Sequence, residues 1–477
     1  MNNNTIYTGQ LIYKNMDFTF VFDGKNLRLI PFEDKCVEIE EQWLRTYIAA
    51  GAYMPNTPEI EESYLLGTCY EFGQKIVFIM KKGSRMNNTW FNAVLSVSVI
   101  AYIIFRYDID EIDKITFTNP EIDAIYPVNQ SISISLGTDG KKINSNGVMS
   151  VTTKAFDSTT TKSQIFKVDN KNITSYFSIS RWISFRNNEF PVSLNSLLVF
   201  EFEPTNDYEF ILKIWGIAKN FLSYLCYRRN VYLPTAKLYT PCADGKHKEL
   251  AILHVLGEDN TPDIDNINKG RYIGQTLIAG YEGKILEDIA ANKIYLRHIP
   301  ETYESERHID AARFIMLTTA FEWEFKRAYP NGIQKSDKTV IAEKKANQKM
   351  EELIQNNQGK LKEIYRRLQK RISDDTFQSK INQVGKDYES IISLFGNQLY
   401  SQNNQKVNYN KIGKRLGDQR NHFAHGDLNE KFIDLSLLDL IFLEYIVYAL
   451  QLRYYGIDTI KIQNAINELF HCGVMLQ

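Results

Sequence analysis

The sequence predicts an α+β multidomain protein, with a β-rich, sandwich-like N-terminal region followed by an all-α C-terminal region. Three observations carry that expectation. Short runs of β-branched and aromatic residues, broken by turn signals, fill the first two hundred residues. Strand signals stop around Ile299-Pro-Glu-Thr-Tyr303, and helical periodicity runs from there to the end. The chain has 477 residues, 44% of them hydrophobic and 24% charged, enough for two or three cores. The expected divisions are a β-rich domain over 1–205, a helix with further strands completing it over 206–299, and a helical domain over 300–477.

In order along the chain, Leu11–Tyr13, Phe18–Phe22 and Leu27–Leu29 read as strands, the last two joined by the hairpin signal Asp23-Gly-Lys. The longest apolar run, Phe91 to Phe105, is too short to span a bilayer as a helix, and its Val/Ile content suits one or two buried strands. Ser131-Ile-Ser-Ile-Ser-Leu alternates with period two and leads to a turn at Asp139-Gly. Asp207 to Arg229 switches to helical spacing, with Phe210, Ile214, Ile217, Phe221 and Leu225 on one stripe. Asp207 is a start signal, and Arg228-Arg229 put positive charge at the negative end of the helix dipole. In the C-terminal region, a helix over about Ser305 to Tyr329 sets Phe314, Leu317, Phe321, Phe325 and Ala328 on one face, with Glu322 on its flank. Residues 335–371 are helical and carry 11 Lys/Arg against 5 Asp/Glu, either a solvated basic face or a track for RNA phosphates. Leu437 to Tyr455 is apolar almost all round, the mark of a helix buried in a bundle or interface.

Composition excludes several classes. With 56 Lys+Arg against 57 Asp+Glu, global charge argues neither for nor against nucleic acid. The five cysteines, Cys36, Cys69, Cys226, Cys242 and Cys472, are scattered and odd in number, as expected of reduced thiols in the cytoplasm. The N-terminus lacks the basic and apolar regions of a signal peptide. The acidic segment Glu258 to Asp265 fails as a calcium loop, because Ile267 stands where the fifth-position oxygen ligand belongs. No nucleotide-binding, zinc-protease or nucleophile-elbow motif occurs, and no metal or cofactor is expected.

The densest chemistry lies in Gly417-Asp-Gln-Arg-Asn-His-Phe-Ala-His-Gly-Asp427, which holds Arg420, Asn421, His422 and His425 within six residues. Ile412, Leu416 and Phe423 recur at helical spacing before Gly426, a residue type that ends helices. Arginine offers a permanent charge and a forked donor set matched to phosphate oxygens. Histidine titrates near neutrality and serves as proton donor or acceptor. Together these groups suit RNA cleavage by the ribose 2′-OH, which needs neither a metal nor a protein nucleophile. Positions five apart on a helix point about 140° away from each other, so Arg420 and His425 share no face of a continuous helix. Either the helix ends by Ala424 or a second copy completes the pair. Arg420 also lies at the edge of an apolar stripe and needs a partner, for which Glu322 is the candidate. The bland alternative is that His422 and His425 finish a helix end and Arg420 makes a salt bridge.

Arg420-Asn421-His422-Phe423-Ala424-His425 resembles the R-x4-6-H motif of the HEPN superfamily, which often begins Arg-Asn near the end of an all-α domain. A second register, Arg415-x6-His422, fits the loose spacing but lacks the Asn. The resemblance covers roughly residues 300–477. It implies a metal-independent endoribonuclease acting as a homodimer with two motifs in one cleft, with Arg420, Asn421 and His425 catalytic and Glu322 and His422 supporting. A long β-rich region before such a domain is similar to the ApeA family of bacterial anti-phage proteins. That likeness implies tRNA or another structured RNA as substrate, a phage-derived trigger and abortive infection. The rival reading is a non-catalytic dimerisation or binding module beside a ligand-sensing β domain.

Overall fold

In the computed structural model, the described residues are 6–475 apart from 44–46, 50–51, 55–58, 86, 90–93, 110, 137–148, 156, 187–191, 258–260 and 427–430. The chain is an α+β protein of two compact units. One comprises Met1–Gln275 with Ala279–Ala291, the other Thr276–Ile278 with Asn292–Gln477. Residues 206–291, apart from 276–278, therefore belong with the strands that precede them, and the helical unit proper begins at Asn292. The turn expected at Asp139-Gly, the first residues of the apolar run at 91–93, and residues 258–260 of the acidic segment lie outside the described residues.

Twelve strands form one continuous antiparallel path in the first unit. They are β1 (Tyr7–Tyr13), β2 (Met16–Phe22), β3 (Asn26–Pro31), β4 (Tyr64–Cys69), β5 (Lys75–Met80), β6 (Val94–Phe105), β7 (Ile112–Phe117), β8 (Gln164–Val168), β9 (Lys171–Ile183), β10 (Val192–Thr205), β11 (Thr235–Pro241) and β12 (His247–Val255). The sandwich-like expectation takes a different form. β1, β2, β3, β6, β5 and β4 pair in a ring, closed by Ile76 opposite Ile104 and by Gly9 opposite Cys69. This barrel is filled by Phe18, Phe20, Phe22, Leu27, Leu29, Ile76 and Phe78, all fully buried. Gly24, with φ +88°, makes the β2–β3 hairpin that Asp23-Gly-Lys signals. β6 is long enough to serve two sheets: Asn26 of β3 faces Ser98, and Val255 of β12 faces Ala101. From there the sheet continues as β12-β11-β7-β10-β9-β8.

The helix Tyr208–Cys226 packs within this unit, capped by Asp207, whose carboxylate accepts from the Phe210 amide at 3.0 Å. Its stripe of Phe210, Ile214, Ile217, Phe221 and Leu225 is buried as the spacing predicts. Arg228 stands just past the helix end as expected, and its guanidinium is fully buried and donates to Glu121 at 2.5 Å. All five cysteines are free thiols. Among the described residues, no helix is long and apolar enough to cross a membrane.

The second unit is all-helical: α1 (Ala311–Ala328), α2 (Asp337–Asn356), α3 (Gly359–Arg371), α4 (Phe377–Asp387), α5 (Glu389–Ser401), α6 (Tyr409–Ala424), α7 (Ser436–Tyr454) and α8 (Thr459–Phe470). The helix expected from Ser305 begins later. Asp310 caps α1, and a separate turn, Tyr303–Glu306, precedes it. Phe314, Leu317, Phe321 and Phe325 are buried, each contributing roughly 1.5–3 kcal/mol by leaving water. α7 is the hub, packed against α1, α5, α6 and α8. Its two acidic residues are paired: Asp439 with Arg415, and Glu444 with Arg313 at 2.7 Å. An unpaired charge in that setting would cost several kcal/mol, so each carboxylate fixes where its partner helix lies.

Candidate active site

α6 carries the motif. Asn408 caps its start, and Ile412, Leu416 and Phe423 bury one stripe. Phe423 packs edge-on to Phe314 of α1 at 5.4 Å, anchoring the last helical turn. The fully buried Gln419 accepts from the Ile433 amide at 2.5 Å and so ties the chain entering α7 back to α6. The helix ends at Ala424. The His425 amide bonds the Asn421 carbonyl at 3.0 Å, and Gly426 follows at φ +98°. Asp427, the last residue of the motif stretch, is outside the described residues.

The helix brings some of the expected residues together and separates others. Glu322, Arg420 and Asn421 line one cleft of about 270 Å³, with Thr376, Phe377 and Gln378 from the start of α4 and Lys414, Gly417 and Asp418 from α6. Arg420 Nη2 donates to Glu322 Oε2 at 2.6 Å, and its guanidinium lies 5.9 Å from the centre of the Phe377 ring. Both carboxylate oxygens of Glu322 are engaged, because Lys380 Nζ donates to Oε1 at 3.1 Å. Burial alone would raise the Glu322 carboxyl, but the hydrogen bond and charge of Arg420, with those of Lys380, hold it below the usual carboxylate range. The Arg420 and Glu322 side chains retain 29% and 28% exposure, so the pair is open to solvent.

His422 and His425 are exposed and do not line the cleft. His425 is four residues beyond Asn421, about 40° round the helix and one turn further along. Within one copy, Asn421 therefore links the two halves of the motif: it lines the cleft, and His425 extends the same edge of α6.

The second register fails on geometry. Arg415 grips Asp439 with two bonds, Nε to Oδ2 at 2.6 Å and Nη2 to Oδ1 at 2.7 Å, and Tyr400 donates to the same carboxylate. Asp439 is fully buried, so Arg415 is committed to holding α6 against α7.

Sequence spacing missed Thr376, Phe377 and Gln378, which line the cleft from more than forty residues before Arg420, and Lys380, which bonds Glu322. One local signal was present: Thr376 is an N-cap residue, and its hydroxyl accepts from the Ser379 amide at 3.1 Å. Gly413 explains the close approach. A Cβ there would lie 2.7 Å from the Gln378 Cα, so only glycine lets α4 settle against α6. Among the described residues, no group of three or more His, Cys, Asp or Glu side chains is placed to hold a metal ion. Compared with protein-family models, curated proteins and solved structures, the chain finds no match.

Proposed function

We propose that the helical unit is a metal-independent endoribonuclease of the HEPN type, working as a pair of copies. The observation that carries this reading is the solvent-open Arg420 guanidinium, held by Glu322 in a cleft that Asn421 also lines, with exposed His425 one turn beyond. In the reaction, the ribose 2′-OH attacks its own phosphorus while a histidine takes its proton. Arg420 neutralises the charge gathering on the phosphorane oxygens. The P–O5′ bond breaks as a second proton donor returns a proton to the 5′ oxygen, leaving a 2′,3′-cyclic phosphate and a 5′-hydroxyl. Two proton-transfer groups are needed, and a second copy supplies the second His425. Glu322 acts through Arg420: its one salt bridge to Arg420 positions the guanidinium while leaving other donors for phosphate, and Lys380 holds the second carboxylate oxygen.

The substrate in this reading is tRNA or another structured RNA, and the cellular role is abortive infection released by a phage-derived trigger. That role rests on the order of a β-rich unit before a helical one. Purified full chain is expected to degrade RNA in EDTA. His425→Ala should slow this by about 10²–10⁴-fold, the usual worth of a general acid–base group, with the helical content unchanged. Undiminished cleavage by that variant counts against the assignment.

One observation favours the rival, a non-catalytic binding module. Arg420 is already neutralised by Glu322, and His425 lies off the cleft. RNA that binds without being cut, with affinity unchanged in Arg420→Ala, is the outcome that reading expects.

A further inference from the structure

We infer that the α2–α3 hairpin is an arm that grips the phosphate backbone of a long RNA and feeds it into the Arg420 cleft. This rests on the ribonuclease reading for its destination, but not for the binding itself. Neither helix buries a single residue, and the two pack chiefly against each other. A pair of helices that adds nothing to a core is maintained for its surface. Across 335–371 that surface carries 11 Lys/Arg against 5 Asp/Glu, in a chain whose overall charge is near zero. The cations are ordered as well as numerous. Lys338, Lys345 and Lys349 on α2, and Lys360, Arg367 and Arg371 on α3, are all exposed and follow the spacing i, i+7, i+11, which aligns each trio along one helix face.

The arm's root adjoins the cleft. The Ile333 amide donates to Asp375 Oδ2 at 3.0 Å, and Lys335 Nζ donates to the Ser373 carbonyl at 2.7 Å, pinching the two ends of the arm together. The next residues, Thr376, Phe377 and Gln378, line the cleft with Arg420. α2 has 20 residues and so reaches about 30 Å, which sets the substrate class: an RNA with several consecutive phosphates beyond the scissile one. The arm also exposes Val340, Ile341, Leu353, Leu361, Ile364 and Leu368, which a protein partner would cover. Position beside a phosphate-handling cleft and the excess of cations favour RNA.

The test measures binding on His425→Ala full chain, so that cleavage does not interfere. Affinity is titrated against salt for a structured RNA of tRNA size and for a trinucleotide. With the long RNA, log affinity should fall steeply with log salt. Replacing Lys338, Lys345 and Lys349 by Gln should weaken binding at least tenfold and make the slope shallower by about 2–3, close to one for each phosphate no longer neutralised. The trinucleotide, too short to reach the arm, should show the shallow slope with the unsubstituted arm, a result that does not depend on how the triple variant folds. Equal slopes for the two RNAs, or a long-RNA affinity unchanged by the triple substitution, overturn the inference. So does retained RNA affinity in that variant alongside an oligomeric or partner-bound state lost in Leu361→Ser/Leu368→Ser. Arm-dependent binding of RNA that the unsubstituted chain never cuts would leave the arm standing and refute the nuclease.

Discussion

Two stretches of α6, the middle and the last turn, each hold an arginine against a carboxylate, and they do different work. In the middle, Arg415 meets a fully buried Asp439 through two bonds, with Tyr400 on the same carboxylate. In the last turn, Arg420 meets Glu322 through one bond at 2.6 Å, and both side chains stay more than a quarter exposed. The chemistry is the same but the solvent differs. A desolvated pair is committed to joining helices, because releasing either member strands a charge. A half-solvated pair holds its guanidinium in place while leaving it able to meet a phosphate.

The contrast breaks most sharply at Asp439. Asp439→Ala leaves Arg415 only the exposed Asp434 at 3.7 Å and strands the buried Tyr400 hydroxyl, and should cost about 3–5 kcal/mol of stability, read by chemical denaturation. A loss below about 1 kcal/mol would mean that the middle pair is no more structural than the end pair.

Next in size is the pH response of the helical unit's interior. His298 is fully buried, and burial first, with Arg313 adding to it, pushes its imidazole down to about 3 despite a bond to the Tyr295 backbone. The sign follows from proton uptake. Below about 6.5 the unfolded chain binds a proton that the folded chain refuses, so stability falls as pH drops from near 6.5 towards 3. Between pH 7 and 5 the loss should be about 2 kcal/mol, and His298→Phe should flatten it. A wild-type stability that is level over that range contradicts the placement of His298.

Smallest is Glu322→Gln, which should cost only ~0.5–1 kcal/mol, as half-solvated pairs do. Because the Glu322 carboxyl is held below its ordinary value, the stability it adds is present above the usual carboxylate range and fades as pH falls through the lowered value. On RNA cleavage the same variant should act more strongly, since it frees Arg420 to swing. A large stability loss with no change in rate would recast the end pair as another helix tie.

Helical spacing made the core stripes of α1 and α6 legible in the sequence, and Gly426 marked where α6 stops. Glu322 was also legible as the partner of Arg420, because an arginine at the edge of an apolar stripe demands a carboxylate on a neighbouring one. The tie between Arg415 and Asp439 left a signal that went unread: an aspartate inside the apolar run Leu437–Tyr455 needs a cation, just as Glu444 needs Arg313. The barrel was not legible. Its closure depends on Ile76 meeting Ile104 and Gly9 meeting Cys69, pairings set by three-dimensional register that leave no periodic trace. Phe377 and Lys380 were hidden for a similar reason, since the whole α2–α3 arm separates them from Glu322. Arg228 shows the limit of local rules. Its place at a helix end was legible, but its bond to the buried Glu121, more than a hundred residues away, was not.

The most direct test is an analysis of the ends left on RNA after incubation with the full chain in EDTA, alongside His425→Ala. Fragments ending in 2′,3′-cyclic phosphate and beginning with 5′-hydroxyl, abundant with the wild type and nearly gone with the variant, are the expected result. Fragments with 3′-hydroxyl and 5′-phosphate ends, or equal yields from both proteins, would contradict it.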